Sequence, residues 1–392
     1  MTGVGAVSAA GAGLEALRRV MSEGRSAVQA DVVAGMPAGR APDPSLRGAS
    51  RRLDRGAALF LAAAEEAWQD AGLVDGALDP GRCGVFEGSS LGPMAALLDA
   101  ARANVRPAEW SAPRPTDFLR FMTGSGGATL AQRHQLKGSV LHISTGSVSA
   151  MCAIGEACIH IAAGRAEVMV AGGAECPLQQ DIVTQLRATG ILTEPRHGEP
   201  ACRPFDERRA GTVLGEGAGV LILEAADHAR RRGARPRARV EGFGLVCEAG
   251  SMSGPAPDGS GVAGAARQAL DGIPLDRLGW IKAHGTGTRA NDAAECQGLA
   301  TVLGSRLSAI PLTSFKSTLG HSLGASGGVE AVAALLAMED GVIPATLGTE
   351  RIDPRLPPCR VVMQPESTTA QLVLLLAESF GGRCAALALG RA

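Results

Sequence analysis

The stretch SVLHISTGSVSAMCAIGEACIHIAAGRAEVMVAGGAE, Ser139 to Glu175, decides the fold, because it reads as strand, tight turn, helix and strand. Val140 to Ile143 is short, apolar and bounded by polar residues, which predicts a buried strand; Thr145 and Gly146 break it. The run to Ala163 is built almost wholly from Ala, Gly, Ser, Cys, Met and Ile, so a helix buried all round is expected. Glu167 to Gly173 returns as a strand. Ser147 stands at the strand-to-helix turn, where backbone N–H groups and the positive end of the helix dipole favour developing negative charge. The same place suits a serine that only caps the helix. The turn alone therefore leaves nucleophile and cap both open.

Composition bounds the wider reading. A chain of 392 residues, 45% apolar and 20% charged, is long enough for two domains or one large two-part core. Its formal net charge of -1 offers no broad attraction to nucleic acid or anionic membrane. Nine cysteines without paired metal-ligand spacing predict reduced thiols and a cytoplasmic chain rather than a disulfide frame. The start, MTGVGAVSAAGAG, lacks the charged and long apolar regions of a secretory signal. Gly138 to Gly155 carries no Asp, Glu, Lys or Arg, but His142, Ser144, Thr145, Gly146, Ser147 and Ser149 interrupt it, so a core segment is expected rather than a membrane span.

Outward from the central unit, alternating patterns recur. On the N-terminal side lie a short first strand at Val4 to Val7, helices at Leu14 to Glu23 and Leu53 to Ala71, a strand at Gly84 to Gly88 and a helix at Phe118 to Gln135. On the other side come an Arg- and Pro-rich surface segment at Pro195 to Arg209, a strand at Val220 to Glu224 and a basic helix end at His228 to Gly233. The pattern then restarts: strand Val240 to Phe243, helix Val262 to Asp271, strand Trp280 to Ala283, helix Asp292 to Leu303, strand Ile310 to Thr313, and a second small-residue helix at Ala325 to Met338. Two similar α/β halves, 1–236 and 237–392, are expected, with the small-residue helices packed together at the centre.

Two further stretches carry chemistry. In WIKAHGTGTRANDAAE, His284 ends a strand and a glycine-broken loop leads to a helix capped near Asn291 or Asp292. In SFKSTLGHSLGASGGVEA, Lys316, His321 and Glu330 flank a second glycine-rich turn. A serine at a helix start and two imidazoles in such turns form a constellation suited to acyl transfer. No metal-ligand cluster, phosphate loop or aromatic stacking platform is visible, so neither a metal nor a redox cofactor is expected. His134, His142 and His160 are read as core or surface residues.

With these motifs the chain resembles a β-ketoacyl-ACP synthase of the elongating, type II fatty-acid and polyketide group, in the thiolase-like superfamily. The resemblance covers nearly the whole chain and rests on VMVAGGAE (Val168 to Glu175), PFDERRAGTVLGEGAGVLILE (Pro204 to Glu224), AHGTGT (Ala283 to Thr288) and KSTLGH (Lys316 to His321). It implies a five-layered αβαβα fold made of two duplicated halves. By it, His284 and His321 hold a malonyl thioester carbonyl and assist decarboxylation, while Lys316 and Glu330 organise the site around His321. Thr286 and Thr288 face a phosphopantetheine arm, and Phe380, Gly381 and Gly382 belong to the gate that supplies an oxyanion N–H. The resemblance also implies that the arm arrives on an acyl carrier protein, and that the chain is a homodimer or pairs with a paralogous ketosynthase. Arg120, Arg133, Lys137, Arg203, Arg208 and Arg209 are the basic residues available to meet an acidic carrier.

The chain departs from the family pattern at three places. Counting back from Ile154-Gly155, the family's nucleophilic cysteine is replaced by Ser147, and Cys152 lies more than a turn into the helix. The C-terminal gate, SFGGRCAALALG from Ser379, is shortened. The first strand is short. A helix N-terminus contributes up to ~2 kcal/mol, enough to bring a thiol near neutrality but not to ionise an alcohol, so Ser147 needs a general base, His284 or His321. An oxygen ester is also a poorer acyl donor to a carbanion than a thioester. The expected function is a ketosynthase-like acyltransferase with Ser147 as acyl acceptor. The alternatives are a non-elongating subunit resembling a chain-length factor, and a malonyl-ACP decarboxylase using only the histidine pair.

Overall fold

The computed structural model describes residues 1–44, 52–104, 115–194 and 201–392. The first series of elements is β1 (Gly3–Ser8), α1 (Leu14–Glu23), α2 (Arg55–Asp70), β2 (Cys83–Gly88), α3 (Met94–Asn104), α4 (Ser125–Arg133), β3 (Val140–Ile143), α5 (Ser149–Ala162), β4 (Val168–Glu175), α6 (Gln180–Ala188) and β5 (Gly217–Glu224). The second is β6 (Ala238–Cys247), α7 (Ser260–Ala269), β7 (Leu278–Lys282), α8 (Arg289–Leu303), β8 (Pro311–Thr313), α9 (Ser326–Asp340), β9 (Leu372–Ser379) and β10 (Arg383–Arg391).

These strands make two sheets with one plan. The first runs β1-β5-β4-β2-β3 and the second β6-β10-β9-β7-β8, each with a two-residue strand added at one edge. In both, the first two junctions are antiparallel and the next two parallel. An order and direction repeated in this way are the mark of a duplicated unit. Apolar residues alternate between the sheet faces, so each sheet needs cover on both sides. Between the sheets lie α5 and α9, with Met151, Ile154, Val332 and Leu335 in one continuous core. Outside the first sheet, α2 and α4 contribute Phe60, Trp68 and Leu130; outside the second, α7 and α8 contribute Val262 and Leu299. The result is five layers, αβαβα.

Small residues set the spacing of the central layer. A Cβ on Gly219 of β5 would lie 2.2 Å from the backbone nitrogen of Val329 in α9, so only glycine lets that helix approach the sheet so closely. On α5, a Cβ at Gly155 would meet the Phe243 ring of β6 at 2.4 Å.

Several expectations need correction. β3 is not buried: it is the edge strand of its sheet, and Val140 and Leu141 are 37% and 49% exposed. Only the first half of α5 is enclosed, since Ile159 is 50% exposed where the helix leaves the core. The single helix expected over 118–135 is a 3-10 turn (Pro115–Phe121) followed by α4, because Gly124 between them takes a φ of +74° that ends one helix and starts the next. Of the Arg- and Pro-rich segment, 195–200 fall outside the described residues, and Arg203 and Arg209 are buried rather than at the surface. The first strand pairs with β5 along all six of its residues.

Candidate active site

The turn before α5 is held by Ser149. Its hydroxyl accepts from the Thr145 N–H at 2.9 Å and contacts the Gly146 and Ser89 carbonyls at 2.6 and 3.2 Å. Gly146 takes a φ of +71°, which turns the chain so that Ser147 precedes the helix instead of entering it. The capping position falls to Val148, with no side-chain cap, so Ser147 is not a helix cap. Behind the turn, the buried Glu175 carboxylate accepts from the Ser89 hydroxyl at 3.0 Å and from the N–H groups of Ser90 and Gly324 at 2.5 and 3.2 Å. Burial pushes it up to about 7 against those donors.

The second half supplies the imidazoles. His321 follows a one-turn helix, and its backbone is pinned by the 213–215 segment: its N–H donates to Val213 at 2.6 Å and its carbonyl accepts from Gly215 at 2.9 Å. His284 lies two residues past β7, with its N–H and that of Gly285 donating to Glu295 at 2.5 and 2.8 Å. The loop that follows enters α8 earlier than expected, because Thr288 is the cap: its hydroxyl accepts from the Asn291 N–H at 3.3 Å.

These elements bring Ser147, His284 and His321 to one cavity of about 950 Å3, which Thr286, Thr288 and Phe380 also line. Ser147 Oγ is 3.3 Å from His321 Nε2, and His321 Nδ1 is 2.9 Å from Ser326 Oγ. The two imidazoles meet edge to face with ring centres 5.2 Å apart. Burial holds both histidines well below the ordinary range, and the Lys316 ammonium adds to the effect. Both rings are therefore neutral at pH 7. With the His321 proton on Nδ1 and donated to Ser326, Nε2 is left as an acceptor for the Ser147 hydroxyl.

Lys316 and Glu330 are together, as expected, at 2.8 Å, but Ser326 rather than Glu330 orients the His321 ring. Glu330 is shared instead with a second buried lysine, Lys282, which also donates to the Leu376 carbonyl at 2.8 Å. The sequence reading missed Lys282; a lone lysine inside the apolar strand WIKA was the available signal. Ser326 carried no such signal. The hydroxyls of Thr286 and Thr288 lie 2.9 Å apart, at the cavity wall.

The segment from Ser379, expected to act as a gate, is arranged differently from expectation. Ser379, on the face of β9 that carries Leu375 and Ala377, presses on the Ser147 turn, and its hydroxyl accepts from the Ser147 N–H at 2.9 Å. The Gly381 N–H donates to the Met252 carbonyl at 2.9 Å. The Ser147 and Gly381 N–H groups are thus both engaged within the protein, and Gly381, expected to belong to the oxyanion gate, is not a free donor in this arrangement. Gly382 and the half-exposed Phe380 line the cavity. Cys152 is buried, which pushes its thiol up and leaves it inert. All nine cysteines are free. His134 pairs with Glu65 and Asp75 and stacks on Trp68, away from the cavity.

Residues 1–229 match the family pattern described as Beta-ketoacyl synthase, N-terminal domain, and residues 237–350 match its C-terminal domain. The chain belongs to the β-ketoacyl synthase family. It is 35% identical to the tetracenomycin polyketide synthase ketoacyl synthase alpha subunit of Streptomyces glaucescens, over 100% of this chain and 96% of that one. Among solved structures, this β-ketoacyl synthase-family chain superposes on a type II polyketide synthase ketosynthase in complex with its acyl-carrier protein (TM-score 0.90, 29% identity, 100% of this chain and 98% of that chain). The ishigamide ketosynthase/chain length factor is similar at a TM-score of 0.88 and 29% identity, covering 100% and 98% of the two chains. The thiolase-like fold and the type II polyketide synthase kinship are therefore established. Among the described residues no group of side chains is arranged to hold a metal ion, and no helix is long and apolar enough to cross a membrane.

Proposed function

We propose that the chain is a ketosynthase-like acyltransferase of polyketide- or fatty-acid-type biosynthesis that takes an acyl group from a carrier-protein thioester onto Ser147. The observation that carries this reading is the approach of Ser147 Oγ to Nε2 of a neutral His321 at the wall of a cavity large enough for an acyl chain. The Ser147 proton passes to His321 Nε2 as Oγ attacks the thioester carbonyl. The C–S bond then breaks, the departing thiolate takes that proton, and an oxygen ester remains on Ser147. Leu91, Met94, Leu98, Ile182 and Leu186 line the apolar part of the cavity that would receive the chain. Thr286 and Thr288 would meet the phosphopantetheine arm, and Phe380 would gate it. No protein-bound cofactor is needed for these steps.

A second reading is favoured by the Ser379–Ser147 contact: a non-elongating subunit that shapes the acyl tunnel of a cysteine-bearing partner, as a chain-length factor does. An oxyanion cannot use the Ser147 N–H while Ser379 occupies it. In either reading the partners are an acyl carrier protein and a second ketosynthase chain, identical or paralogous. Arg120, Arg133, Lys137 and Arg208 are exposed where a carrier could meet them, Arg133 already paired with Glu65 and Arg208 with Glu350, whereas Arg203 and Arg209 are buried. The test is the intact mass of the protein after incubation with acyl-carrier proteins of several chain lengths. An acyl increment that Ser147→Ala abolishes supports the acyltransferase. No increment, with altered product length from a cysteine-bearing partner, supports the second reading.

A further inference from the structure

Alternation along β9 sends Ser379 toward the nucleophile turn and its neighbour Glu378 to the opposite face, the one that carries Leu374 and Leu376. Glu378 is 5% exposed, lines the same cavity, and neither of its carboxyl oxygens has a hydrogen-bond partner in the protein. Its acidic neighbours are all served. Glu248 accepts from the N–H groups of Ala256 and Gly261 at 2.7 and 3.2 Å. Asp292 accepts from those of Phe205 and Gly287 at 2.8 and 3.1 Å. Glu295 accepts from those of His284 and Gly285. A buried carboxyl left without partners is costly, so one that lines a ligand cavity calls for a ligand group to complete it.

Burial first, and then the carboxylates of Glu295, Glu248 and Asp292, push Glu378 well above the ordinary carboxyl range, with the Lys316 ammonium pulling the other way. In its neutral form the group offers an O–H donor and a C=O acceptor side by side. We propose that Glu378 is a specificity-determining residue that exchanges hydrogen bonds with a polar group of the bound thioester, either an amide of the pantetheine arm or a hydroxyl or keto oxygen of the acyl chain. This rests on the reading of the cavity as a thioester site but not on Ser147 as acceptor.

The test is therefore made in the full-length Ser147→Ala protein, where binding is read without acyl transfer. Dissociation constants are measured for hexanoyl-pantetheine, 3-hydroxyhexanoyl-pantetheine and the hexanoyl ester of ethanethiol, with Glu378 intact or replaced by Leu or Gln. Glu378→Leu is expected to weaken the matched ligand about ten- to a hundredfold, as for a buried hydrogen bond left unmade. Glu378→Gln, which keeps one donor and one acceptor, should stay within about threefold of the parent. A loss shared by both pantetheine esters but not by the ethanethiol ester assigns the contact to the arm; a loss confined to the hydroxyacyl ester assigns it to the chain. The ethanethiol ester also reports whether the Leu variant is folded. Equal binding of all three ligands by the Leu variant and the parent overturns the proposal. A Gln variant as impaired as Leu also overturns it, since that would mark an ionic contact. If none of the esters binds the parent, the thioester reading of the cavity falls, and this proposal with it.

Discussion

At Ser147 an alcohol rather than a thiol meets the helix end. A thiol there would ionise near neutrality with the help of the dipole, whereas the alcohol depends on His321 Nε2 at 3.3 Å. The Ser379 hydroxyl on the Ser147 N–H is the opposing feature. Ser379→Ala should free that donor and raise the rate of Ser147 acylation, by up to roughly 10², the effect of one oxyanion donor. A fall in rate, measured by release of free carrier thiol, would mean that Ser379 holds the turn in its productive shape. The histidines carry a pH signature. His284 is held neutral by burial and then by Lys316, so below about pH 6.5 the unfolded chain binds a proton there that the folded chain refuses. Its contribution thus lowers stability as pH falls through that range, by at most ~1.4 kcal/mol per pH unit. Denaturant titrations of the parent and His284→Asn should show the difference between them shifting in favour of the variant on acidification; a pH-independent difference contradicts the assignment.

The elements explain which parts of the sequence were legible. α1 falls at Leu14–Glu23, as its periodicity predicts, and the turn at Ser147 lies between β3 and α5 as read. What failed depends on tertiary context. Val140 and Leu141 look like core residues, yet they sit on the edge strand of the first sheet and are exposed. Arg209 looks like a surface cation, yet it is buried against Asp353 at 2.6 Å, a partner 144 residues away. Ser379 and Ser326 reach the site through strand and helix packing that no local pattern reports, whereas Lys282 is marked only by standing alone in an apolar strand. Glycine carries the same lesson. Gly219 is unremarkable in GEGAGV, but it sets the contact between β5 and α9. Gly219→Ala should lower stability by roughly 1–3 kcal/mol through forced separation of these layers. An unchanged thermal midpoint would show that α9 can yield without cost.

For the whole molecule, duplication gives two sheets whose inner helices, α5 and α9, meet at the centre, and it places the Ser147 turn of one half against the histidine loops of the other. The first sheet ends at β3, with no strand paired on its outer side among the described residues, and Val140, Leu141 and Ile159 are exposed beside it. An uncovered apolar sheet edge is a pairing surface. Sedimentation at micromolar concentration should give the mass of two chains, or a complex with a cysteine-bearing ketosynthase, and Leu141→Asp should shift either toward the free chain. A single-chain mass for the parent, unchanged by adding that partner, contradicts this.

The central claim, that Ser147 accepts acyl groups with His321 as its base, is tested most directly by peptide-level mass spectrometry after incubation with acyl-carrier proteins. An acyl ester is expected on the peptide containing Thr145 to Met151, formed about 10² to 10⁴ times more slowly in His321→Ala. An adduct that persists in Ser147→Ala, or one whose rate ignores the loss of His321, would contradict it.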